Sequence, residues 1–158
     1  DLIRWLPYSG DLWRPVNTNK VQSYGIETNL QYGISLGNHQ FKINTLYSYT
    51  VSKNKETDYQ PIYVPYHKAT LGVSYKIADF SAQLNTIYTG EVFTYSNNPD
   101  TVLNDFLLTN LSMNYAFTKN RNWIVGGGVN NLFNTNYETK AYRPMPGTNY
   151  HINLTLKL

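Results

Sequence analysis

The sequence contains no cysteine, few charged residues and no long apolar run. Without cysteine, the chain has neither a disulfide framework nor a thiolate metal site. Charged residues make up 15% of the 158 residues, against about a quarter in an average soluble domain. No stretch approaches the ~18 consecutive apolar residues of a membrane-spanning helix. The net charge is +3, but the basic residues are scattered, so the sequence does not favour nucleic acid as a partner.

Aromatic residues make up 15% of the chain, and 15 residues are tyrosine. This content argues against a disordered chain, and the shortage of charge argues against an ordinary helical domain. The dominant pattern is alternation of apolar and polar residues with a period of two, which is typical of strands with two different faces. It occurs in eight segments: residues 1–6, 20–34, 40–52, 66–77, 80–95, 106–118, 123–137 and 148–158.

The lengths of the segments and of their connections distinguish the kind of sheet. Several segments exceed ten residues, whereas a tilted strand needs roughly 9 to 11 residues to cross a bilayer. The connections alternate between long (7–19, 53–65, 96–105, 138–147) and short (35–39, 78–79, 119–122), and all seven prolines fall in the long ones. Long loops on one side and tight turns on the other indicate an antiparallel transmembrane β-barrel of the outer membrane, with the turns facing the periplasm.

Both ends of the chain carry motifs of a known family. The C-terminal part contains N-L-F-x-x-x-Y (Asn131 to Tyr137) and then P-G-x-x-Y (Pro146 to Tyr150), followed by an alternating strand. With the opening IRWLPYSGDLWRPVNTNKVQSYGIE, residues 3–27, these elements resemble the late barrel segments of TonB-dependent outer-membrane receptors. The resemblance covers essentially the whole chain.

The resemblance implies a barrel of about 22 strands around a plug domain, in the bacterial outer membrane. Residues 1–158 would supply its last seven or eight strands, with the plug outside this chain. The implied function is TonB-dependent import of a scarce nutrient, such as a ferric siderophore or cobalamin. The spacing of Trp5, Pro7, Trp13 and Pro15, together with YETKAY, favours the cobalamin-transporter-like branch. The implied partners are the N-terminal barrel strands and plug, the TonB complex and outer-membrane lipid, with a surface lipoprotein as a further candidate.

The predicted long loops carry aromatic and polar side chains that suit a ligand vestibule. The candidate ligand-binding residues are Trp13, Arg14, Asn17, Tyr59, Tyr63, Tyr95, Tyr142 and Arg143. The alternative is that these side chains pack the loops together or lie at the membrane interface.

No pattern in the sequence indicates catalysis, a metal site or a cofactor. Gly126 to Gly128 lack the lysine and helix start of a phosphate loop, so they indicate strand curvature or close packing against a lumenal element. The three histidines are far apart and are expected to be solvated or lumenal. Glu27 and Glu91 could be considered an acid/base pair, but their parity places them in a polar lumen instead.

Two other classes of protein share this alternation. One is a self-contained eight-stranded barrel that acts as an adhesin or structural anchor, although residues 1–6 are too few to cross a bilayer. The other is a soluble lipocalin-like binder, with its apolar face turned inward. Dependence on detergent separates the soluble binder from the two membrane proteins.

Overall fold

The structure is a computed structural model that describes residues 2–9, 12–18, 20–55, 58–95, 98–117 and 122–156. Regular structure in these ranges is entirely strand, which confirms the all-β class. None of the described segments forms a helix that could cross a membrane. The strands are β1 (Leu2–Ser9), β2 (Leu12–Thr18), β3 (Val21–Leu36), β4 (His39–Asn54), β5 (His67–Ile77), β6 (Phe80–Thr89), β7 (Val92–Tyr95), β8 (Asn98–Leu103), β9 (Phe106–Ala116), β10 (Trp123–Asn130), β11 (Glu138–Lys140), β12 (Arg143–Pro144) and β13 (Asn149–Leu156).

Within the described residues, seven of these strands form one antiparallel sheet in the order β13-β10-β9-β6-β5-β4-β3. The pairing register places alternate residues of each strand on the same face of the sheet as their partners in the neighbouring strands. One apolar row crosses five strands in direct register: Ile43, Val73, Leu84, Leu111 and Val129. The neighbouring row on the other face is polar: Lys42, Ser74, Gln83, Ser112, Gly128 and His151. The alternation therefore becomes a wall with one apolar and one polar face.

One end of the sheet has tight two-residue turns. Gly37 and Asn38 join β3 to β4, and Gly37 has a φ of 59°, the left-handed value that the first central position of a type II′ turn requires. Ala78 and Asp79 join β5 to β6 at the same end. Both agree with the predicted short connections. The third predicted turn, at 119–122, lies outside the described residues except for Asn122.

The opposite end of the sheet continues into three two-stranded ribbons, β1–β2, β7–β8 and β11–β12. The predicted long connections at 7–19, 96–105 and 138–147 therefore contain paired strands, which the sequence analysis did not predict. Four of the seven prolines also stand in strands rather than in loops: Pro7, Pro15, Pro99 and Pro144. A two-stranded ribbon consists of edge strands, which tolerate proline where the missing N–H would have pointed to the open side.

Two predicted segments end earlier than their alternation suggests. Segment 80–95 is interrupted at Gly90 and Glu91, beyond which β7 pairs with β8 instead of continuing the main sheet. Segment 123–137 ends at Asn130, because Asn131 has a left-handed φ of 51° that no strand accommodates. Short polar side chains such as asparagine tolerate this conformation.

Burial is slight, because the sheet is a single layer. In the described part of the chain, Val51 and Ile62 are buried, each 8% exposed, and so are Pro61 and Pro65. They belong to a small cluster where residues 58–66 fold back along the end of β4. The buried Gln60 accepts a hydrogen bond from the Ser52 N–H at 2.8 Å. Elsewhere the apolar face is open, as Ile152 at 87% exposure illustrates.

Candidate functional site

Aromatic side chains form a band on the apolar face near the tight turns. We call this the inner girdle: Phe41, Tyr75, Phe80, Tyr115, Phe117 and Trp123. Phe41 and Tyr75 lie 4.8 Å apart by ring centroid, and Phe117 and Trp123 lie 6.3 Å apart. His39 extends this girdle and forms a 2.8 Å hydrogen bond with the Tyr75 hydroxyl.

A second aromatic band lies on the same face towards the ribbons. We call it the outer girdle: Tyr47, Tyr49, His67 and Tyr88. The Tyr47 hydroxyl and His67 Nδ1 are 2.9 Å apart. The histidines were expected to be solvated or lumenal; His39 and His67 are exposed and stand on the apolar parity rather than the lumenal one. Each is accommodated there because a tyrosine hydroxyl satisfies one ring nitrogen.

The two girdles are separated by the same interval in three adjacent strands. It is eight residues in each case: 41 to 49, 67 to 75 and 80 to 88. Eight residues span ~27 Å along a strand, or ~21 Å along the barrel axis at a tilt of about 40°. This height is close to the ~25 Å apolar band of outer-membrane barrels. The apolar face therefore has the dimensions of a lipid-facing wall, bounded by interfacial aromatics.

The opposite face carries the polar and charged side chains expected of a lumen. The three glycines of β10 lie in this wall, and neighbouring side chains fill the space beside Gly126 and Gly128. Asn114 and Asn153 would contact a Cβ at Gly126, and His151 Cε1 would lie 2.6 Å from a Cβ at Gly128. The predicted close packing is thus packing beneath neighbouring side chains of the same sheet.

Glu27 and Glu91 are not brought together. Glu27 lies on β3 and Glu91 follows β6, so three strand spacings, or about 14 Å, separate their backbones. This distance excludes direct proton transfer between them. In the described part of the chain, no group of three or more His, Asp or Glu side chains is arranged to hold a metal ion.

Tyr63 joins three of the outer segments. It has a left-handed φ of 58° and lies in the connection between β4 and β5. Its N–H donates to the Phe93 carbonyl of β7 at 2.9 Å. Its hydroxyl accepts from the Ala141 N–H at 3.4 Å, in the turn between β11 and β12. One candidate ligand residue therefore holds three segments together, which is the packing role considered as the alternative for these loops.

The other candidates are divided between two surfaces. Tyr59 lies in the connection that contains Tyr63, Tyr95 ends β7, and Tyr142 and Arg143 lie at the tip of β11–β12. Tyr142 is 95% exposed, and its N–H donates to Glu138 Oε2 at 3.0 Å. These residues belong to the segments that Tyr63 connects. We call those segments the outer loop cluster.

Trp13, Arg14 and Asn17 lie on the β1–β2 ribbon, whose extensive contacts are internal. Trp5 is directly opposite Pro15, and Pro7 is opposite Trp13, so the two W-x-P elements pair with each other. The Arg14 guanidinium lies 4.5 Å from the ring centroid of Tyr8. Among the residues that the structure describes, the hydrogen bonds of Tyr63 do not extend to this ribbon.

Asn131 organises the connection from β10 to β13, a role that the sequence analysis did not assign. It is 4% exposed, and its Oδ1 accepts from the Thr135 N–H at 2.8 Å. Its Nδ2 donates to the Thr135 carbonyl at 2.9 Å and to the Pro146 carbonyl at 3.4 Å. Its own carbonyl accepts from the Thr148 hydroxyl at 2.7 Å. This one side chain links the N-L-F motif to the P-G motif. The two motifs were therefore the sequence signal from which the role of Asn131 could have been predicted.

A cavity of about 400 Å³ lies beside this connection, at the base of the outer loop cluster. Asp105 and Phe106 line one side, and Tyr137, Glu138 and Met145 line the other. The rings of Phe106 and Tyr137 lie 4.8 Å apart by centroid. Aromatic rings and two carboxylates thus line a recess that faces the ribbons rather than the turns.

Comparison with known proteins agrees with this architecture. The family model described as "TonB dependent receptor-like, beta-barrel" matches residues 1–132. The chain belongs to this family. It is 27% identical over 161 residues to a vitamin B12 transporter, BtuB, of Photobacterium profundum. That alignment covers 99% of this chain and 25% of the transporter.

Solved structures of receptors share the fold. The copper transporter OprC superposes with a TM-score of 0.76 at 20% identity, over 99% of this chain and 26% of that protein. The siderophore receptor PiuA from Acinetobacter baumannii has a TM-score of 0.74 at 20% identity, over 86% of this chain and 22% of that protein. The chain therefore spans about a quarter of the length of these relatives.

Family membership places this TonB-dependent receptor segment in the bacterial outer membrane, as predicted. It also assigns the two faces of the sheet: the face with the girdles contacts lipid, and the polar face lines the lumen. The tight turns accordingly mark the periplasmic end, and the outer loop cluster marks the cell surface. The family works with TonB, and the named relatives are transporters and receptors.

Proposed function

We propose that this chain is the C-terminal barrel segment of a TonB-dependent importer whose cargo is a ferric siderophore or cobalamin. The observation that carries the proposal is the outer loop cluster, in which Tyr63 joins three segments at the surface end of the wall. Cargo binds to exposed aromatic and polar side chains of this cluster, with Tyr59, Tyr95, Tyr142 and Arg143 as the contacts. The β1–β2 ribbon contributes Trp13, Arg14 and Asn17 from a neighbouring position.

Transport then depends on parts of the receptor beyond these residues. A plug domain fills the lumen and is rearranged by the TonB complex, because a barrel of about 22 strands is too wide to be closed by its own side chains. The proposed role is therefore energy-coupled transport rather than catalysis. The 27% identity to a vitamin B12 transporter supports cobalamin as one of the cargoes to test.

The proposal is tested with the full-length receptor that contains this segment, expressed in an outer membrane. Binding of radiolabelled cyanocobalamin and of radiolabelled ferric siderophores is measured on whole cells, followed by uptake with and without TonB. We expect saturable binding of one cargo class and uptake only with TonB. Binding without any TonB-dependent uptake would contradict the transport proposal.

A pair of variants localises the cargo site. Tyr142→Ala with Arg143→Ala removes two exposed side chains from the outer loop cluster, and binding is expected to weaken about tenfold or more. Asn38→Ala, in the periplasmic turn, is the matched control and should bind like the unmodified receptor. Unchanged binding in the double variant would remove the β11–β12 tip from the site.

The self-contained small barrel is the second candidate. It requires the first and last strands of the sheet to pair with each other. In the described residues, β3 and β13 are instead the two edges of an open sheet. No specific observation therefore favours this candidate.

A further inference from the structure

Two lysines lie close together on the lumenal face near the periplasmic end of the wall. Lys42 of β4 is directly opposite Ser74, and Lys76 of β5 is directly opposite Gln40, so the two lysines are diagonal neighbours on adjacent strands. Diagonal neighbours of an antiparallel pair lie ~7–8 Å apart. Both side chains are exposed, and in the described part of the chain neither forms an ion pair. The wall therefore presents two adjacent positive charges to the lumen.

The two lysines border a trough in this face. A recess of about 340 Å³ is lined in part by Gln40, Lys42 and Lys76, and it shares Lys42 with a second recess of about 560 Å³. Gly33 and Gly72 line the second recess. We call the two recesses together the lumenal trough. Its lining extends from β3 to β6, three strand spacings or ~14 Å, which is the length of about four extended residues.

Gly33 and Gly72 are not required by the wall itself. Neither has a left-handed φ, and the pairing of β3, β4 and β5 runs through both without a shift in register. A Cβ at either position would meet no atom of the described residues closer than 3.8 Å. Glycine in a strand interior lowers stability and often marks a place where another backbone approaches closely. The two glycines therefore favour a second chain segment as the occupant of the trough.

The position and the charge of the trough narrow the choice of that segment. Phe41 and Tyr75, next to the lysines in sequence, belong to the inner girdle, so the trough lies inside the barrel at the height of the periplasmic interface. A plug that fills the lumen there removes water from both lysines, and an unpaired buried charge is costly. On the described wall, Glu27 lies six residues from the level of Lys42, or ~20 Å, and Asp79 lies in the β5–β6 turn outside the trough. The counter-charge is therefore expected from the plug.

We propose that an acidic, extended segment of the plug domain docks in the lumenal trough. Its backbone lies against Gly33 and Gly72, and a carboxylate side chain of the segment binds between Lys42 and Lys76. The proposal rests on the plug of the importer proposed above, and it adds the place and the chemistry of the contact between the plug and this wall.

A zero-length cross-linker tests this contact. The full-length receptor in isolated outer membranes is treated with a carbodiimide, which joins a lysine amine to a carboxylate only when the two groups touch. Peptide mass spectrometry then identifies the linked residues. We expect Lys42 or Lys76 to be linked to an aspartate or glutamate of the plug. Links only to other parts of the barrel or to a separate protein, or no link at either lysine, would overturn the proposal.

Charge variants show whether the lysines hold the plug. Lys42→Gln with Lys76→Gln removes both charges, and the urea concentration at which a protease cuts the plug should fall by about 1 M. Lys42→Arg with Lys76→Arg keeps the charges and should keep this concentration, although the cross-links disappear. Lys68→Gln is the matched control, since Lys68 is exposed on the same face outside the trough. Unchanged protection in the double glutamine variant would refute the role of the lysine pair.

Filling the trough tests the role of the glycines. Gly72→Val should leave the barrel folded, because the new Cβ meets no atom closer than 3.8 Å, and heat-modifiable gel migration checks this. The same variant should lower the urea concentration at which the plug is cut, since the added side chain displaces the docked backbone. Ser48→Val, on the same face towards the outer girdle, is the matched control. Equal protection of the plug in the two variants would mean that no backbone lies against Gly72, and the proposed docking would be wrong.

TonB-dependent uptake is measured on the same cells, which separates this proposal from the importer itself. Uptake without a cross-link from either lysine to the plug would overturn the docking alone. A cross-link without uptake would support the docking and count against the transport proposal.

Discussion

At the scale of single residues, asparagine side chains fix the connection from β10 to β13 by hydrogen bonds. Asn131 takes a left-handed φ of 51°, follows the last residue of β10, and bonds to Thr135 and Pro146 in the connection to β13. Asn134 has a φ of 52°, and its Oδ1 accepts from the Thr148 N–H at 3.1 Å. In a single-layer wall with few buried side chains, such amide bonds replace a core as the means of fixing loop positions.

Replacement of Asn131 should loosen the outer loop cluster. Asn131→Ala leaves the part-buried Thr135 N–H without its acceptor and puts alanine, which tolerates a positive φ less well than asparagine, at this position, so we expect a cost of about 2 kcal/mol. Limited proteolysis of the full-length receptor should then cut within residues 131–148. Asn130→Ala is the control, since it removes only the exposed 2.8 Å bond from Asn130 to Asn149. Equal resistance of the two variants would contradict the role assigned to Asn131.

At the scale of strands, the sequence predicted those strands whose bounds depend on the local alternation of apolar and polar residues. The long strands β3, β4, β5 and β9 lie within two residues of the predicted segments, because one face must meet lipid and the other water. The ribbons were missed, since two-stranded pairing at the cell surface lacks a buried face and leaves no alternation to detect. The break at Gly90 and Glu91 was missed for a related reason, because β7 beyond it pairs with β8 in such a ribbon.

The candidate site was predictable only in part. Exposed aromatics in the outer segments could be selected by composition, and Tyr59, Tyr95, Tyr142 and Arg143 belong to the outer loop cluster. Tyr63 was selected as a ligand contact, but its hydrogen bonds hold segments 78 residues apart in the chain. Such long-range bonds depend on the final register and have no short-range signature in the sequence.

The face assignment can be tested with two adjacent residues of β6. Leu84 lies midway between Phe80 and Tyr88 on the lipid-facing parity, and Gln83 faces the lumen beside it. Leu84→Arg should destabilise the barrel by roughly 2–4 kcal/mol, because it places a cation near the bilayer midplane. Gln83→Arg should be tolerated. The folded fraction is measured by heat-modifiable gel migration, and equal tolerance of the two variants would mean that the faces are reversed or that the wall does not contact lipid.

At the scale of the whole molecule, the orientation in the membrane follows from the two ends of the sheet. Single cysteines are introduced at Tyr142 and at Asn38, in a background without other cysteines. An impermeant thiol reagent added to whole cells should label Tyr142→Cys, which is 95% exposed at the cell surface, and spare Asn38→Cys in the periplasmic turn. Labelling of Asn38→Cys alone would invert the orientation.

The open sheet also determines how this segment must fold. The edges β3 and β13 each carry backbone groups that point away from the sheet and find no partner among the described strands. In hydrocarbon every unsatisfied N–H or C=O costs several kcal/mol, so an open sheet of this kind is not stable in a bilayer. Residues 1–158 expressed alone, behind a signal peptide, should therefore aggregate or be degraded. Co-expression with the remaining strands of the receptor should restore a protease-resistant, heat-modifiable barrel, since each edge then gains a partner. A stable monomeric barrel formed by these residues alone would instead require β3 and β13 to pair, which would support the small self-contained barrel over the receptor segment.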